Sequence, residues 1–370
     1  MSRRARAIIN LAAIERNARS LRARLDERTE LCAVVKADGY GHGAVASARA
    51  ALAGGATRLA VATAAEADQL SRAMPGVRVL VMGPLEGEEL GLALAVGAEI
   101  VAWTAPFVRR VAAISTEEVA KLHLKLDTGM GRWGVRGESA AMELAALIDE
   151  TAGVELVGLM THLTEADKDD LSFTHAQLAR FSSVASRLCD AHPGVLLHAA
   201  NSAATLRLPA AHFDMVRCGI ALYGLDPMQV SARQWGLEPA LELHSYVAKV
   251  DRIDAGDSVG YGRAFVAATP THVGTVPIGY ADGVRRVIDQ GVEVLIAGAR
   301  YPLVGRVSMD CLAVDLGPTT GIEPGAEVVL IGANLTESIS AEEVAQKYQT
   351  INYEVVCSLS GRVGRMYVES

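Results

Sequence analysis

The chain has 370 residues, half of them hydrophobic and 5% aromatic, with 35 glycines and a formal charge of −8. This length exceeds what one hydrophobic core usually organises, so we expect two domains. The acidic charge repels polyanions, which excludes nucleic-acid binding as the primary activity. Because no run of about 18 apolar residues is present, we expect no membrane span. Five scattered cysteines without a CxxC pair, and an N-terminus without a signal-peptide pattern, predict a cytoplasmic enzyme.

Up to about residue 235, short apolar runs alternate with segments that have the periodicity of amphipathic helices. Apolar runs separated by helices are typical of parallel strands that are covered on both faces. Eight strands are predicted, at residues 31–36, 58–63, 77–83, 98–103, 122–127, 154–162, 195–199 and 213–218. Eight is the number that closes a (β/α) barrel, so we predict an α/β fold with a (β/α)8 TIM-type barrel over residues 8–237.

From residue 238 the pattern changes to strands divided by turn signals such as DAGDS and EPGA. Only AEEVAQKY, residues 341–348, has the periodicity of a helix, and Ser340 precedes it as a potential N-cap. We therefore predict a mostly β second domain over residues 238–370, joined by residues 1–7.

Chemically capable residues lie at the predicted strand ends, where TIM barrels place their active sites. Lys36 ends the first strand, Lys125 lies in the fifth, His162 ends the sixth and Arg217 lies in the eighth. An unpaired buried ammonium is unfavourable, so a lysine in an apolar strand has either a partner or a function. Taken alone, a lysine at a strand end is explained equally well if it extends its ammonium to solvent or forms a structural ion pair. For Lys125 that ion pair would be formed with Asp127, and it is the less favoured explanation.

The surroundings of Lys36 favour a function. The glycine-rich turn ADGYGHG follows it and can bring the backbone close to a ligand. A lysine in a dry pocket can form a Schiff base with an aldehyde cofactor. The segments at residues 201–202 and 217–220 belong to the last two strands, where such barrels commonly bind phosphate. A lysine that can bind the aldehyde, together with a phosphate site opposite it, is the combination that pyridoxal 5′-phosphate requires.

The segment VVKADGYGHG resembles the cofactor-lysine motif of bacterial alanine racemases. Further segments resemble that family in the same order, namely LKLDTGMGRWG, MTHL, HAANSAA, VRCGIALYG, VGYGR, IGYADG, GRVSMD and NYEVVC. The family's fold, a barrel followed by a β domain, agrees with the pattern above. The resemblance implies a homodimer with shared active sites that interconverts L-alanine and D-alanine with pyridoxal 5′-phosphate. Its role could be D-alanine biosynthesis for peptidoglycan, catabolism or resistance to an inhibitor.

The resemblance also implies roles for single residues. Lys36 resembles the lysine that carries the cofactor and moves a proton on one face of the substrate, and Tyr261 resembles the partner-subunit tyrosine on the other face. Arg132 and the backbone of Met309 would hold the substrate carboxylate. Further cofactor contacts are implied for Tyr40, His198, Ser202, Arg217, Gly219, Ile220 and Tyr353. Supporting positions are implied for Lys125, His162, Asn201 and Asp310, and the substrate corridor for Asp167, Arg286, Arg306 and Ile351.

Two of these positions carry a chemical expectation. Arg217 would face the pyridine nitrogen, supported by His198, and an arginine donates there while discouraging protonation of the ring. Lys125 resembles a position that is carbamylated in many members of the family. As a carbamate it would be an anion able to accept a bidentate pair from Arg132.

Three alternatives stay open at this point. A barrel-type pyridoxal-phosphate decarboxylase would need an acidic partner at the ring nitrogen, where this chain has Arg217. A pyridoxal-phosphate homeostasis protein would have no use for the second domain. Serine or broader specificity is the closest alternative, because a small pocket discriminates weakly against one hydroxyl.

The chain also departs from the family at two positions. Ile9 stands where the family commonly has an acidic residue, and Cys311 stands where it commonly has glutamine.

Overall fold

The computed structural model describes residues 4–115, 119–286 and 291–369. In chain order its strands are β1 Arg6–Asn10, β2 Glu30–Val34, β3 Arg58–Val61, β4 Val79–Val81, β5 Glu99–Ala102, β6 Ala120–Lys125, β7 Val154–Met160, β8 Leu196–His198, β9 Met215–Cys218, β10 Leu241–Tyr246, β11 Lys249–Ile253, β12 Ser258–Val259, β13 Phe265–Val266, β14 Thr271–Val276, β15 Glu293–Ile296, β16 Ala299–Val304, β17 Leu312–Gly317, β18 Glu327–Asn334, β19 Glu337–Ile339 and β20 Gly364–Val368.

The helices are α1 Leu11–Arg22, α2 Lys36–Tyr40, α3 Ala44–Ala53, α4 Ala64–Ala73, α5 Gly87–Ala95, α6 Ala105–Ile114, α7 Glu138–Glu150, α8 Ser172–Ala191, α9 Ser202–Arg207, α10 Ala341–Lys347 and α11 Asn352–Cys357. In the described parts of the chain no helix is long and apolar enough to cross a membrane.

Strands β2 to β9 form one parallel sheet in the order β8-β7-β6-β5-β4-β3-β2-β9. Its two outer strands are joined by backbone hydrogen bonds, since Asp214 N donates to Leu197 O and Arg217 N donates to Ala200 O, both at 3.0 Å. Strands β3, β4 and β5 are buried along their whole length, as expected when one face lines the barrel and the other lies under helices. The predicted TIM-type barrel is confirmed, and each predicted strand overlaps an observed one.

The turn after β2 has an unusual backbone. Ala37, Asp38, Gly39 and Tyr40 have φ values of 53°, 52°, 62° and 53°, so α2 is a left-handed turn. Residues with a Cβ atom adopt this conformation at a cost of about 1–2 kcal/mol each. Hydrogen bonds hold the turn, because Ala37 N donates to Glu66 Oε1 at 2.6 Å and Ala44 N donates to Asp38 Oδ1 at 2.9 Å.

This turn is also held against the second domain. Gly41, at φ 81°, lies so close to α11 that a Cβ atom there would be 2.2 Å from the carbonyl oxygen of Val356. Arg365 of β20 donates from Nε to Gly41 O at 3.1 Å. The segment that begins at Lys36 is therefore fixed from both domains of the same chain.

The second sheet has ten strands, in the order β11-β14-β17-β16-β15-β18-β10-β1-β20 with β19 on β18. The N-terminal strand β1 pairs antiparallel with β10 and parallel with β20. This strand runs to Asn10, past the expected boundary at residue 8, and residues 1–3 lie outside the described residues. The helix expected at residues 341–348 is present as α10, and Ser340 Oγ accepts from Glu343 N at 3.1 Å. Helix α11 was not predicted, because six residues are too few to show a helical period.

Candidate active site

The turn after β9 is tied to the start of α9. Asn201 caps this helix, since its Oδ1 accepts a hydrogen bond from Ala204 N at 3.1 Å. Ser202 Oγ accepts from Gly219 N at 3.0 Å and from Ala221 N at 3.4 Å. The last two strands of the barrel thus end in one compact turn that contains a buried hydroxyl.

Two phenols border the same turn. A Cβ atom at Gly219 would lie 2.3 Å from the hydroxyl of Tyr40, so the Tyr40 hydroxyl occupies the space that a side chain would need. The ring centroids of Tyr40 and Tyr353 are 6.1 Å apart. Burial raises the pKa of both tyrosines, so each phenol stays protonated and able to donate a hydrogen bond.

Arg217 is buried and almost fully hydrogen-bonded. Its Nη1 donates to His198 Nδ1 at 2.9 Å and to His198 O at 3.0 Å. Its Nη2 donates to Thr161 O at 2.7 Å and to Ala199 O at 3.1 Å, with His162 Nδ1 at 3.4 Å. Within residues 4–115, 119–286 and 291–369, Arg217 has no carboxylate within ion-pair distance and its Nε has no hydrogen-bond partner. Burial lowers the pKa of Arg217 to about 10, which leaves it charged at neutral pH.

Positive charges gather at the mouth of the barrel. Lys125 is buried, with Nζ 5.5 Å from the ring centroid of Trp133, and Arg132 stacks on that ring with Cζ at 5.0 Å. Burial, then Arg217 and Arg132, lowers the pKa of Lys125 to about 8. Burial, then Arg132, lowers the pKa of Lys36. Both lysines therefore reach the neutral amine form more easily than a lysine in water.

The structure does not contain the ion pair considered for Lys125 and Asp127. Asp127 instead accepts from Arg136 Nε at 2.8 Å and from the backbone N–H groups of Gly129 and Gly131 at 3.1 and 3.0 Å. Among the described residues Lys125 has no anionic partner within 4 Å, which leaves its tip free to react.

His162 lies beside Arg217 and is a neutral imidazole. Its pKa is well below the usual value because of burial and, after that, the charges of Arg217, Lys125, Arg132 and Lys36. The histidine expected at the end of the sixth predicted strand is thus part of this group of residues.

The second domain presents its expected site residues on the surface. Tyr261, between β12 and β13, is 67% exposed and Met309 is 51% exposed. The two segments lie near Arg306, since a Cβ atom at Gly262 would be 3.3 Å from Arg306 Nη1. In the described parts of the chain, no hydrogen bond or ring contact joins Tyr261 to its own barrel.

The backbone around Met309 is held firmly. Tyr280 N donates to Ser308 O at 3.0 Å, and Ala281 N donates to Met309 O at 3.1 Å. Next to it, Asp310 accepts from Arg362 Nη2 at 2.5 Å. The IGYADG and GRVSMD segments are therefore held together by backbone hydrogen bonds.

The four expected corridor residues, Asp167, Arg286, Arg306 and Ile351, are all exposed. Asp167 lies close enough to Tyr353 to contribute to its raised pKa, after burial. Arg286 borders a surface cavity together with Tyr280.

Three polar residues in the barrel interior were missed from the sequence. His123, Glu99 and Arg58 are all buried, and His123 contacts His198. Each of the three could have been noticed in the sequence, since each is a polar residue within or at the start of an apolar strand. Periodicity alone does not show that they face one another across a barrel.

The donor set fits pyridoxal 5′-phosphate. The turn at Ser202 and Gly219, with its neighbouring phenols, suits a phosphate, and the free Nε–H of Arg217 suits a ring nitrogen that accepts a hydrogen bond. Lys36, with its lowered pKa, follows the neighbouring strand β2. The fold and these strand-end residues define a (β/α)8-barrel protein with a candidate site at the carboxyl ends of its strands.

Comparison with known proteins specifies the family. The alanine racemase N-terminal domain profile matches residues 9–227, and the C-terminal domain profile matches residues 240–367. The chain is 38% identical over 366 residues to the alanine racemase of Desulforamulus reducens, covering 97% of this chain and 98% of that protein. It is 40% identical over 363 residues to the alanine racemase of Geobacillus stearothermophilus, covering 97% and 92%.

Solved structures agree. Alanine racemase from D-cycloserine-producing Streptomyces lavendulae gives a TM-score of 0.94 at 36% identity, with 100% of this chain and 98% of that chain covered. Alanine racemase from Bacillus anthracis with bound L-Ala-P gives a TM-score of 0.92 at 36% identity, covering 100% and 96%. The chain belongs to the alanine racemase family, a family of isomerases, and the identification from sequence is confirmed.

Proposed function

We propose that this chain interconverts L-alanine and D-alanine, with pyridoxal 5′-phosphate held at the mouth of its barrel. One observation carries the proposal beyond family membership: among the described residues, buried Arg217 has no carboxylate partner and no hydrogen bond at Nε, two positions before the Gly219 that binds Ser202 Oγ. When bound, the cofactor supplies an electron-withdrawing ring that makes the α-proton of an amino acid removable. The protein residues bind, orient and move protons around it.

The phosphate would be held by Ser202, by the backbone at Gly219 and Ile220, and by the phenols of Tyr40 and Tyr353. The raised pKa values of the two tyrosines support this assignment, because protonated phenols donate to an anion.

The ring nitrogen would face Arg217, with His198 holding the guanidinium from behind. An arginine that stays charged donates a hydrogen bond but gives up no proton, so it favours return of the proton to the α-carbon. A decarboxylase of the same architecture would need a carboxylate at this position.

Proton transfer would use one base on each face of the substrate. Lys36 serves one face, and its lowered pKa supports a neutral amine as proton acceptor. Tyr261 of the partner subunit serves the other face. The exposure of Tyr261 on the second domain supports a homodimer in which each subunit completes the other's site.

The substrate carboxylate would be bound by Arg132 and the backbone of Met309. Lys125, as a carbamate, would orient Arg132. A neutral amine can add to carbon dioxide and release a proton, leaving an anionic carbamate. The pKa of Lys125, about 8, and the absence of an anionic partner in the described residues support that reaction.

We further propose that the chain acts in the cytoplasm and supplies D-alanine for peptidoglycan. All five cysteines are free in the structure, which is consistent with a reducing compartment.

Racemisation rates of the purified, cofactor-loaded protein with L-alanine, D-alanine and L-serine test the proposal. We expect rapid interconversion of the alanine enantiomers and slower reaction of serine. Borohydride should fix the cofactor to a single peptide containing Lys36. Absence of alanine racemisation, or label on another lysine, would refute the assignment, and equal rates for serine would broaden the substrate class.

A further inference from the structure

A continuous line of buried polar side chains crosses the barrel interior. Arg217 Nη1 donates to His198 Nδ1 at 2.9 Å, and His198 Nε2 is 2.9 Å from His123 Nδ1. His123 Nε2 is 2.8 Å from Glu99 Oε2, which also pairs with Arg58. The line runs from β9 and β8 at the mouth of the barrel to the first residues of β5 and β3 at its opposite end.

The chemistry of the two ends fixes the direction of every hydrogen bond between them. An arginine can only donate, so His198 Nδ1 must accept, and its proton must lie on Nε2. His123 Nδ1 then accepts a hydrogen bond from His198 Nε2–H, and His123 Nε2–H donates to the carboxylate of Glu99. Both imidazoles are neutral, because burial lowers the pKa of His123 to about 3 and that of His198 well below its usual value.

The barrel wall is adapted to this line of residues. His123 and His198 are fully buried, and Glu99 and Arg58 are 6% and 5% exposed. A Cβ atom at Gly158, on the neighbouring strand β7, would lie 2.1 Å from His123 Nδ1, so only glycine leaves room for the ring. TIM-barrel interiors are usually filled by branched apolar side chains, and replacing a buried ion pair with apolar groups is often neutral for stability. Packing alone therefore does not explain these residues.

We infer that Glu99 and His123 are positioning residues for Arg217. The carboxylate of Glu99 attracts the proton of His123 Nε2 and so makes each following ring nitrogen a stronger acceptor, ending at the bond from Arg217 to His198. That bond, together with the three carbonyls around the guanidinium, directs Arg217 so that Nε–H stays free at the site. His123 and Glu99 do not touch the substrate or the cofactor in this assignment.

This inference rests on the proposed function, in which Arg217 faces the ring nitrogen. A loosely held Arg217 would leave that nitrogen open to water and to protonation. A bound cofactor would then favour transamination, in which the substrate leaves as its keto acid and its amino group stays on the cofactor. The number of pyridoxamine 5′-phosphate molecules formed per racemisation event therefore reports on the positioning of Arg217.

The test compares holoenzyme variants His123→Leu, Glu99→Gln and the double variant. We expect His123→Leu to raise the ratio of transamination to racemisation by about tenfold, as for the loss of one strong hydrogen bond. Glu99→Gln, which keeps the shape and removes the charge, should raise the ratio less. The double variant should match His123→Leu, because Glu99 acts only through His123.

His244→Leu is the matched control. His244 is a buried histidine that contacts two carboxylates, Glu242 at 2.9 Å and Glu327 at 3.2 Å, but it lies in the second domain. The His244→Leu variant should have a lower melting temperature than the wild type and the same ratio of transamination to racemisation. If His123→Leu and Glu99→Gln lower only the melting temperature, or if their effects on the ratio multiply in the double variant, the inference is wrong. Failure of the wild type to racemise alanine would instead refute the proposed function.

A second measurement needs neither substrate nor cofactor. In the apoprotein with ¹⁵N-labelled histidine rings at neutral pH, His123 and His198 should both carry their proton on Nε2. Glu99→Gln should leave both protons on Nε2, because Arg217 fixes the tautomers from the other end, but it should change the ¹⁵N chemical shift of His123 Nε2, which loses its charged acceptor. A wild-type protein in which either ring is protonated on Nδ1 would overturn the inference, even if a variant fails to fold.

Discussion

The hydroxyl of Tyr40 lies against the α-carbon of Gly219, where a Cβ atom would be 2.3 Å from the phenol oxygen. The turn after β2 and the turn after β9 therefore meet at one point, although 179 positions separate these two residues in the chain. Neither turn can change without the other, because Tyr40 belongs to the left-handed turn that starts at Lys36.

A methyl group at this point should weaken cofactor binding. Gly219→Ala must displace the Tyr40 phenol, and overpacking of this kind costs about 2 kcal/mol, or about thirtyfold in dissociation constant. Titration of the apoprotein with pyridoxal 5′-phosphate measures this dissociation constant. Gly194→Ala is the control, since its Cβ would meet nothing within 4 Å. Equal affinities in the two variants would show that this turn does not bind the phosphate.

Attachment of the cofactor should depend on pH through Lys36. Because its pKa is lowered, first by burial and then by Arg132, its neutral amine forms at lower pH than that of a free lysine. Arg132→Gln removes a positive charge and should raise this pKa, so attachment at neutral pH slows several-fold and recovers as the pH rises. The attachment rate is followed by absorbance across pH, with exposed Arg109→Gln as control. An unchanged pH profile in Arg132→Gln would mean that Arg132 does not act on Lys36.

A carbamate on Lys125 should be visible by two methods. Crystals grown near neutral pH with bicarbonate should show a planar carboxyl group at its tip near Arg132. In solution, ¹³C-bicarbonate should give a carbamate signal that Lys125→Arg abolishes. Lys121→Arg, an exposed position on the same strand, should leave the signal intact. A bare ammonium at high resolution would contradict the modification.

The sequence predicted the barrel well because its strands are continuous apolar runs, whereas contacts between distant segments escaped it. Lys36 was expected to end a strand, but β2 stops at Val34 and Lys36 begins a left-handed turn, a conformation that apolar periodicity does not encode. His123, Glu99 and Arg58 were each visible as polar residues in apolar strands. Their alignment depends on barrel closure and on the room left by Gly158, which no local pattern reveals. The roles carried over by family resemblance required motifs such as VGYGR, since among the described residues no hydrogen bond or ring contact joins Tyr261 to its own barrel.

In the proposed reaction, two bases from two subunits act on one substrate. Lys36→Ala and Tyr261→Phe should each be nearly inactive alone. In a random mixture of the two, about half of the dimers are mixed and half of their sites are whole, so about a quarter of wild-type activity should return. Racemisation measured after verified subunit exchange decides the matter. Recovery near that fraction supports a site formed by Lys36 and Tyr261 of the partner subunit, and no recovery would contradict it.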